Sequence, residues 1–215
     1  MLRNYFKFVV YLALTIGFSS AMAGAYDDFF KAITFDDARA VEALLARGFD
    51  PNSRDEKGQA PLFLSLREGS LKVAEVLLAT PQTTIDLPNA VGETALMMAA
   101  LKGRTEWVRR LLDRGARLEA VEAKGWTALH YAASGPEPQV VQLLLARGAR
   151  IDAPSPNGST ALMMAARYGP EDSVLALLQH GANAELRNDL GLNAVDFARQ
   201  AGRQPLADKL AQRAR

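Results

Sequence analysis

Few residues in this chain could do chemistry. Two histidines, His130 and His180, stand 50 residues apart, and there is no cysteine. A zinc centre needs three or four N, S or O ligands in register, and a nucleophilic triad needs a base beside a hydroxyl with an orienting acid. Neither pattern is spelled out. The glycines recur at long intervals instead of clustering, so no loop is written that would cradle a phosphate. No catalytic residue, metal ligand or cofactor is therefore expected, and an enzyme is the minor reading. His130 reads as a hydrogen-bonding residue near a helix start, and His180 as a residue at a helix end.

A different kind of pattern carries the information. The string TALMMAA occurs at Thr94–Ala100 and again at Thr160–Ala166, 66 residues apart. Gly58, Gly92, Gly125, Gly158 and Gly191 fall in one column at intervals of 34, 33, 33 and 33 residues. A second column holds Gly48, Gly115, Gly148 and Gly181. Two glycine columns at one period mark a repeat of about 33 residues, of which TALMMAA is the same segment in alternate units. Its methionine pairs read as packing, the ordinary use of a flexible thioether in a core.

Each unit has the marks of two short helices. Thr94, Thr127 and Thr160 precede apolar runs ending in Ala-Ala, which is an N-cap signal worth about 1 kcal/mol. Asn193 holds that column in the last unit, and Ala60 breaks it in the second. The small residues Ala99, Ala100, Ala132, Ala133, Ala165 and Ala166 allow a neighbouring helix to approach closely. The second helix follows from apolar residues at helical spacing in VAEVLL, WVRRLL, VVQLLL and VLALLQ, with Trp107 on the core side. It ends at RGF, RGA, RGA and HGA. There Arg47, Arg114, Arg147 or His180 complements the helix dipole and the next glycine takes a left-handed C′ position. The second unit departs from this with LLATPQTTID, and the fourth with SGPEP, where Pro138 is tolerated at a helix start.

The first residues differ from the rest. Arg3 and Lys7 precede an apolar run of 11 residues, Phe8–Phe18, after which Ala21 and Ala23 stand in an A-x-A arrangement. This is the layout of a secretory signal peptide, residues 1–23. An uncleaved anchor is the rival, but the run is well short of the about 20 residues a spanning helix needs. Removal of Arg3 and Lys7 would leave the mature chain near neutral. With 25 basic and 24 acidic residues overall, nothing suggests a nucleic-acid partner. Export without any cysteine means stabilisation by packing alone. Together these features predict a soluble protein of the bacterial periplasm, off the membrane once the signal is cleaved.

The strings GETALMMAALKGRTEWVRRLLDRGARLEA and GWTALHYAASGPEPQVVQLLLARGARIDA resemble ankyrin repeats, whose pattern is G-x-T-P-L-H-x-A-A followed by V-V-x-L-L and G-A-D. The resemblance covers nearly the whole mature chain. It implies an all-α solenoid of stacked helix-turn-helix units with inter-repeat β-hairpin loops. Residues 24–215 then form one ankyrin-repeat domain. Its parts would be an N-terminal cap at 27–54, repeats at 55–89, 90–122, 123–155 and 156–188, and a C-terminal cap at 189–215. Met97 and Met163 occupy the column in which the family often has a histidine. The side-chain hydrogen bond made there is accordingly expected only at His130.

The resemblance also implies what such a protein does. Ankyrin partners usually meet the columns beside the first glycine and at the end of the first helix, on the concave face. The matching positions are Glu56, Lys57, Gln59, Arg67 and Glu68; Val91, Glu93, Leu101 and Lys102; Lys124, Trp126 and Ser134; Asn157, Ser159, Arg167 and Tyr168; and Leu190 and Leu192. Of these, Val91, Glu93, Leu101, Lys102, Lys124, Trp126, Asn157, Arg167 and Tyr168 form the candidate partner-binding set, since Trp, Tyr and Arg dominate interface energetics. Trp126 could equally pack on its own neighbours. The expectation is a monomeric, non-catalytic scaffold or regulator that binds another protein. A toxin-neutralising immunity protein, an accessory factor in oxidative-stress protection, an exported effector and a purely structural role stay open as alternatives.

Overall fold

The computed structural model describes residues 20–213, with twelve helices and no strand among them. They pair as helical hairpins: α1 (Ser20–Thr34) with α2 (Ala38–Ala46), α3 (Pro61–Glu68) with α4 (Leu71–Ala79), and α5 (Ala95–Leu101) with α6 (Thr105–Asp113). Then come α7 (Ala128–Ser134) with α8 (Pro138–Ala146), α9 (Ala161–Tyr168) with α10 (Glu171–Gln179), and α11 (Ala194–Gln200) with α12 (Gln204–Arg213). Each first helix packs on the first helix of the next hairpin, giving an all-α solenoid with one continuous core. Leu66, Leu96, Met97, Leu129, Leu162 and Met163 are buried almost completely in it. Burial of each such side chain contributes roughly 1.5–3 kcal/mol. Trp107 joins this core, with the Arg110 guanidinium over its ring at 4.8 Å.

The second helices end as the glycine column requires. Gly48, Gly115, Gly148 and Gly181 all have φ between 87 and 90°. The following N–H reaches back to Leu44, Leu111, Leu144 or Leu177, closing a Schellman motif each time. In the second unit, α4 instead runs into Thr80 in extended conformation, and Thr80 Oγ1 donates to the Val76 carbonyl.

The helix starts are less uniform than their threonines suggest. Thr94 Oγ1 accepts from Met97 N at 3.4 Å, and Asn193 Oδ1 from Asp196 N at 3.1 Å. Thr127 Oγ1 lies instead 2.9 Å from His130 Nδ1. Thr160 does not cap α9 through its side chain: its buried Oγ1 has no hydrogen-bond partner among the described residues. At Met97 the bond expected to be missing is replaced by a weak one, Thr94 N to Met97 Sδ at 3.5 Å. One cap comes from another unit. Asp36, at φ 53°, turns Oδ1 onto Val73 N at 3.0 Å, in the first turn of α4, where Ser70 makes no side-chain bond.

Two glycines are required by contact instead of by dihedral. A Cβ on Gly135 would lie 2.9 Å from the Leu101 carbonyl oxygen, and one on Gly169 would collide with that of Ala133. Each ends its first helix hard against the last carbonyls of the preceding hairpin's first helix.

The expected signal segment lies outside the described residues except for the start of α1, which runs through the expected cleavage point between Ala23 and Gly24. Phe29, Ala32 and Ile33 of α1 are buried and follow that point. No helix among the described residues is long and apolar enough to cross a membrane.

Candidate protein-binding surface

The loops between hairpins end in tips that place the candidate residues. In each tip the glycine N–H donates back to the carbonyl of the opening residue, and a second backbone bond joins the opening residue to the closing one: Asp55 N to Gln59 O at 3.0 Å, Asn89 N to Glu93 O at 2.9 Å, and Glu122 N to Trp126 O at 3.2 Å. Ser155 N to Ser159 O at 2.9 Å and Asn188 N to Leu192 O at 3.0 Å complete the series. The expected hairpin therefore takes the form of a turn with no ladder long enough to count as strand.

The residue opening each tip also braces it from inside. Asn89 Oδ1 accepts from Val91 N at 3.0 Å and Glu93 N at 2.9 Å, and Asn188 Oδ1 from Leu190 N at 3.1 Å and Leu192 N at 3.0 Å. Asp55 does the same for Lys57 N and Gln59 N, while Ser155 Oγ takes Ser159 N and Glu122 Oε1 takes Trp126 N. At Asp55, Asn89 and Asn188 these are Asx turns, in which the side chain substitutes for a backbone acceptor, while Ser155 and Glu122 make only the longer bond across the tip. The column Asp55, Asn89, Glu122, Ser155, Asn188 was legible at the repeat period, as an acceptor three residues before each first-column glycine, and was not part of the expected set.

Tips are joined to one another as well. Ala123 N donates to the Val91 carbonyl at 2.8 Å, and Asp189 N to that of Asn157 at 2.9 Å. Between these pairs the donor position is Pro156, which has no N–H. Its ring closes on Gly125 so tightly that a Cβ there would collide with Pro156 Cδ.

On this frame the candidate residues fall into two groups. In the first, Trp126 is half-buried, its ring stacked on His130 at 6.3 Å and 19° and edge-on to Tyr131 at 5.8 Å. The Tyr131 hydroxyl donates to Glu93 Oε1 at 2.8 Å, and Asn89 Nδ2 to Glu93 Oε2 at 2.6 Å. Burial, then the Glu93 bond, pushes the Tyr131 hydroxyl pKa well above its ordinary value. Val91 stands beside this group, half exposed. In the second group, the Arg167 guanidinium lies over the rings of Tyr168 at 5.3 Å and Phe197 at 6.0 Å, with Gln200 Oε1 at 3.5 Å from Nη1. Tyr168 is 59% exposed. No hydrogen bond, ion pair or aromatic contact among the described residues joins the two groups.

The remaining positions are more varied. Lys102 and Lys124 are exposed, and Leu101 is half-buried against the core. Asn157 braces its tip, accepting from Ser155 Oγ at 2.6 Å. Glu56, Lys57 and Leu190 are exposed, Gln59 and Leu192 partly so, and Arg67 pairs with Glu68 at 2.5 Å. Ser134 Oγ donates to the His130 carbonyl. Ser159 is not a surface residue: it is 2% exposed, because its carbonyl and hydroxyl are bonded from His130 and Asn188 on either side. Tyr131, Phe197 and Gln200 were missed. The signal for the first two was an aromatic residue in the column otherwise filled by Leu64, Met98 and Met164.

His130 is a structural hub that joins the Thr127 turn to the Ser159 carbonyl of the next unit. The N–H of Thr127 can only donate, so Nδ1 accepts it at 3.2 Å and Nε2 carries the proton toward the Ser159 carbonyl at 3.2 Å. Burial holds its pKa below the usual histidine value, against the opposing effect of the Ser159 bond. His180 Nδ1 lies 2.8 Å from the Ala176 carbonyl at the end of α10. No group of three metal-ligating side chains occurs among the described residues. A cleft of about 330 Å³ between α10 and α12 is lined by Val174, Leu175, Leu206 and Leu210, none of which belongs to either aromatic group.

Comparison with known proteins gives this architecture a lineage. Poly [ADP-ribose] polymerase tankyrase of Caenorhabditis elegans is 36% identical over 76 residues, which is 34% of this chain and 3% of that protein. Rabankyrin-5 of Homo sapiens is 40% identical over 62 residues, 29% of this chain and 5% of that one. NF-kappa-B inhibitor alpha of Mus musculus is 37% identical over 87 residues, 38% of this chain and 28% of that one. The chain thus spans less than a third of the length of each of these relatives. Among solved structures, a chain in the complex of a predatory endopeptidase from Bdellovibrio bacteriovorus with an immunity protein superposes with a TM-score of 0.75. The two are 28% identical, over 86% of this chain and 97% of that one. The family profile described as Ankyrin repeats (3 copies) matches residues 29–121, 82–155, 117–188 and 137–214. With that coverage and this stack of helical hairpins, the chain belongs to the ankyrin-repeat family.

Proposed function

We propose that this protein is a non-catalytic binding module of the bacterial periplasm, and that it engages another protein through its hairpin tips and first helices, the face expected to be concave. The observation that carries the reading is the state of the aromatic side chains. Trp126 is held by His130 and Tyr131, and Tyr168 lies beside Arg167, yet both rings remain accessible at a face of hydrogen-bonded tips. Large side chains already fixed before contact lose little conformational entropy on binding, which is what makes such residues anchors.

The test is crosslinking capture from periplasmic extract with the mature protein, comparing wild type with a Trp126→Ala, Tyr168→Ala double variant. A partner captured by wild type alone supports this face. Equal capture by both variants moves the interface elsewhere. Fractionation and the intact mass of the purified protein test the location: recovery only from culture medium, or an unprocessed N-terminus, would overturn the periplasmic, signal-cleaved reading. Light scattering on the purified protein tests the expected monomer.

One alternative has a specific observation in its favour. The likeness to a chain from a complex of a peptidase with an immunity protein supports a toxin-neutralising role. On that reading the captured partner is a hydrolase whose activity falls when this protein is added. A partner without hydrolytic activity, or one whose activity is unchanged, favours the scaffold or regulator.

A further inference from the structure

Charge is unequally used on the two sides of this stack. Of nine ion pairs among the described residues, six join second helices or the turns after them, such as Glu75 with Arg110 at 2.5 Å and Asp113 with Arg147 at 3.0 Å. The other three lie on α3 and on α11 with its tip. None falls within the tips and first helices of the third, fourth and fifth hairpins, residues 89–102, 122–135 and 155–168. Those segments contain three cations, Lys102, Lys124 and Arg167, and two carboxylates, Glu93 and Glu122.

The carboxylates and the cations face opposite ways. Glu122 is 6% exposed and accepts from Trp126 N at 3.2 Å. Both oxygens of Glu93 are taken, by the Tyr131 hydroxyl and the Asn89 amide. Lys102 and Lys124 reach solvent, and neither forms an ion pair among the described residues. Arg167 rests on two aromatic faces that attract its charge without neutralising it. Lys102 and Arg167 sit at the ends of first helices two repeats apart, Lys124 sits at the tip of the repeat between, and Trp126 lies in that same tip.

We propose that the partner presents an acidic segment in which carboxylates flank a large apolar side chain, the carboxylates meeting Lys102, Lys124 and Arg167 and the apolar group packing by Trp126. This rests on the reading that the tip-and-first-helix face binds a protein, and it specifies that protein's chemistry. A neutral apolar surface would bury three cations without partners, at a steep desolvation cost for each, and a basic surface would add repulsion. An acidic one removes both costs and steers the encounter.

The probes are two fluorescein-labelled peptides, Gly-Glu-Glu-Phe-Glu-Glu-Gly and Gly-Lys-Lys-Phe-Lys-Lys-Gly, followed by anisotropy and by the change in tryptophan emission. The acidic peptide is expected to bind, and to weaken at least about tenfold as NaCl is raised from about 50 mM to about 300 mM, because exposed charges are screened over that range. The triple variant Lys102→Glu, Lys124→Glu, Arg167→Glu should lose binding by more than about tenfold with its helical melting curve unchanged. A control triple on the second helices, Arg39→Glu, Lys72→Glu, Arg109→Glu, should retain it. Binding of the basic peptide as tightly as the acidic one, binding of neither, or indifference to the first triple would overturn the proposal. If the acidic peptide fails while capture in extract still depends on Trp126 and Tyr168, the binding face stands and only its charge selectivity is refuted. If capture does not depend on them, the face itself is wrong.

Discussion

The Tyr131 hydroxyl donates to Glu93 at 2.8 Å across the boundary between two consecutive hairpins, so that a residue of the fourth unit fixes a tip residue of the third. The bond is charge-assisted and half-sheltered beneath Trp126. Tyr131→Phe should therefore cost about 1.5 kcal/mol in urea unfolding, and Glu93→Gln, which keeps an acceptor, distinctly less. Equal losses in both would mean that the charge on Glu93 matters more than the geometry of the bond.

Gly169 and Gly48 separate two reasons for a glycine. Gly48 has a left-handed φ of 88° and open space where a side chain would stand, so Gly48→Ala should cost about 1 kcal/mol through backbone strain alone. Gly169 has an ordinary φ of −84°, yet a Cβ there would collide with the Ala133 carbonyl oxygen. Gly169→Ala should push two hairpins apart and cost about 3 kcal/mol, read as the shift in thermal or urea midpoint. A smaller loss at Gly169 than at Gly48 would show that the stack yields easily at this point.

His130 makes stability depend on pH. Burial depresses its folded pKa below the unfolded value of about 6.5, so the unfolded chain takes up the proton more readily. The contribution is whole above about pH 6.5 and is lost as pH falls from there through the folded value, below which the loss is complete. Melting temperatures from pH 8 down to about pH 5 should fall on the acid side. His130→Met, which copies the residue found at Met97 and Met163, should remove this part of the slope. An unchanged slope in that variant would assign it to other groups.

Arg203 ties the last hairpin to the one before it. Its Nη1 donates to the carbonyls of Ala165, Ala166 and Gly169 at 3.1, 3.0 and 2.7 Å, closing the C-terminal end of α9. Arg203→Ala should cost about 2 kcal/mol, and truncation after Asn188, which also uncovers the flank of α9 and α10, should cause aggregation or loss of helix by circular dichroism. A soluble, fully helical truncation would show that residues 189–215 do not cap the array.

What could be read from the sequence alone was whatever repeats at short range. Two glycine columns and the apolar spacing between them are enough to place helical hairpins and their left-handed ends, because a Schellman turn needs only a few consecutive residues. The column of side-chain acceptors that brace the tips was available by the same logic. Threonine at a helix start was a weaker guide. Thr94 caps as expected, whereas Thr160, which opens the same seven-residue string, has no partner for its hydroxyl, and Thr127 turns to His130 instead.

The tertiary structure decided everything that depends on a residue about one repeat away. Ser159 is withdrawn from the surface by His130 and Asn188, and Trp126 is both packed and accessible because His130 and Tyr131 lie beneath it. Gly135 and Gly169 are needed because a neighbouring carbonyl is close, and Asp36 caps a helix 37 residues downstream. The 33-residue period determines which residues occupy equivalent places. It carries no information on what the chain on the next turn of the solenoid places against them, and that contact sets each side chain's burial, its partners and its availability to another protein.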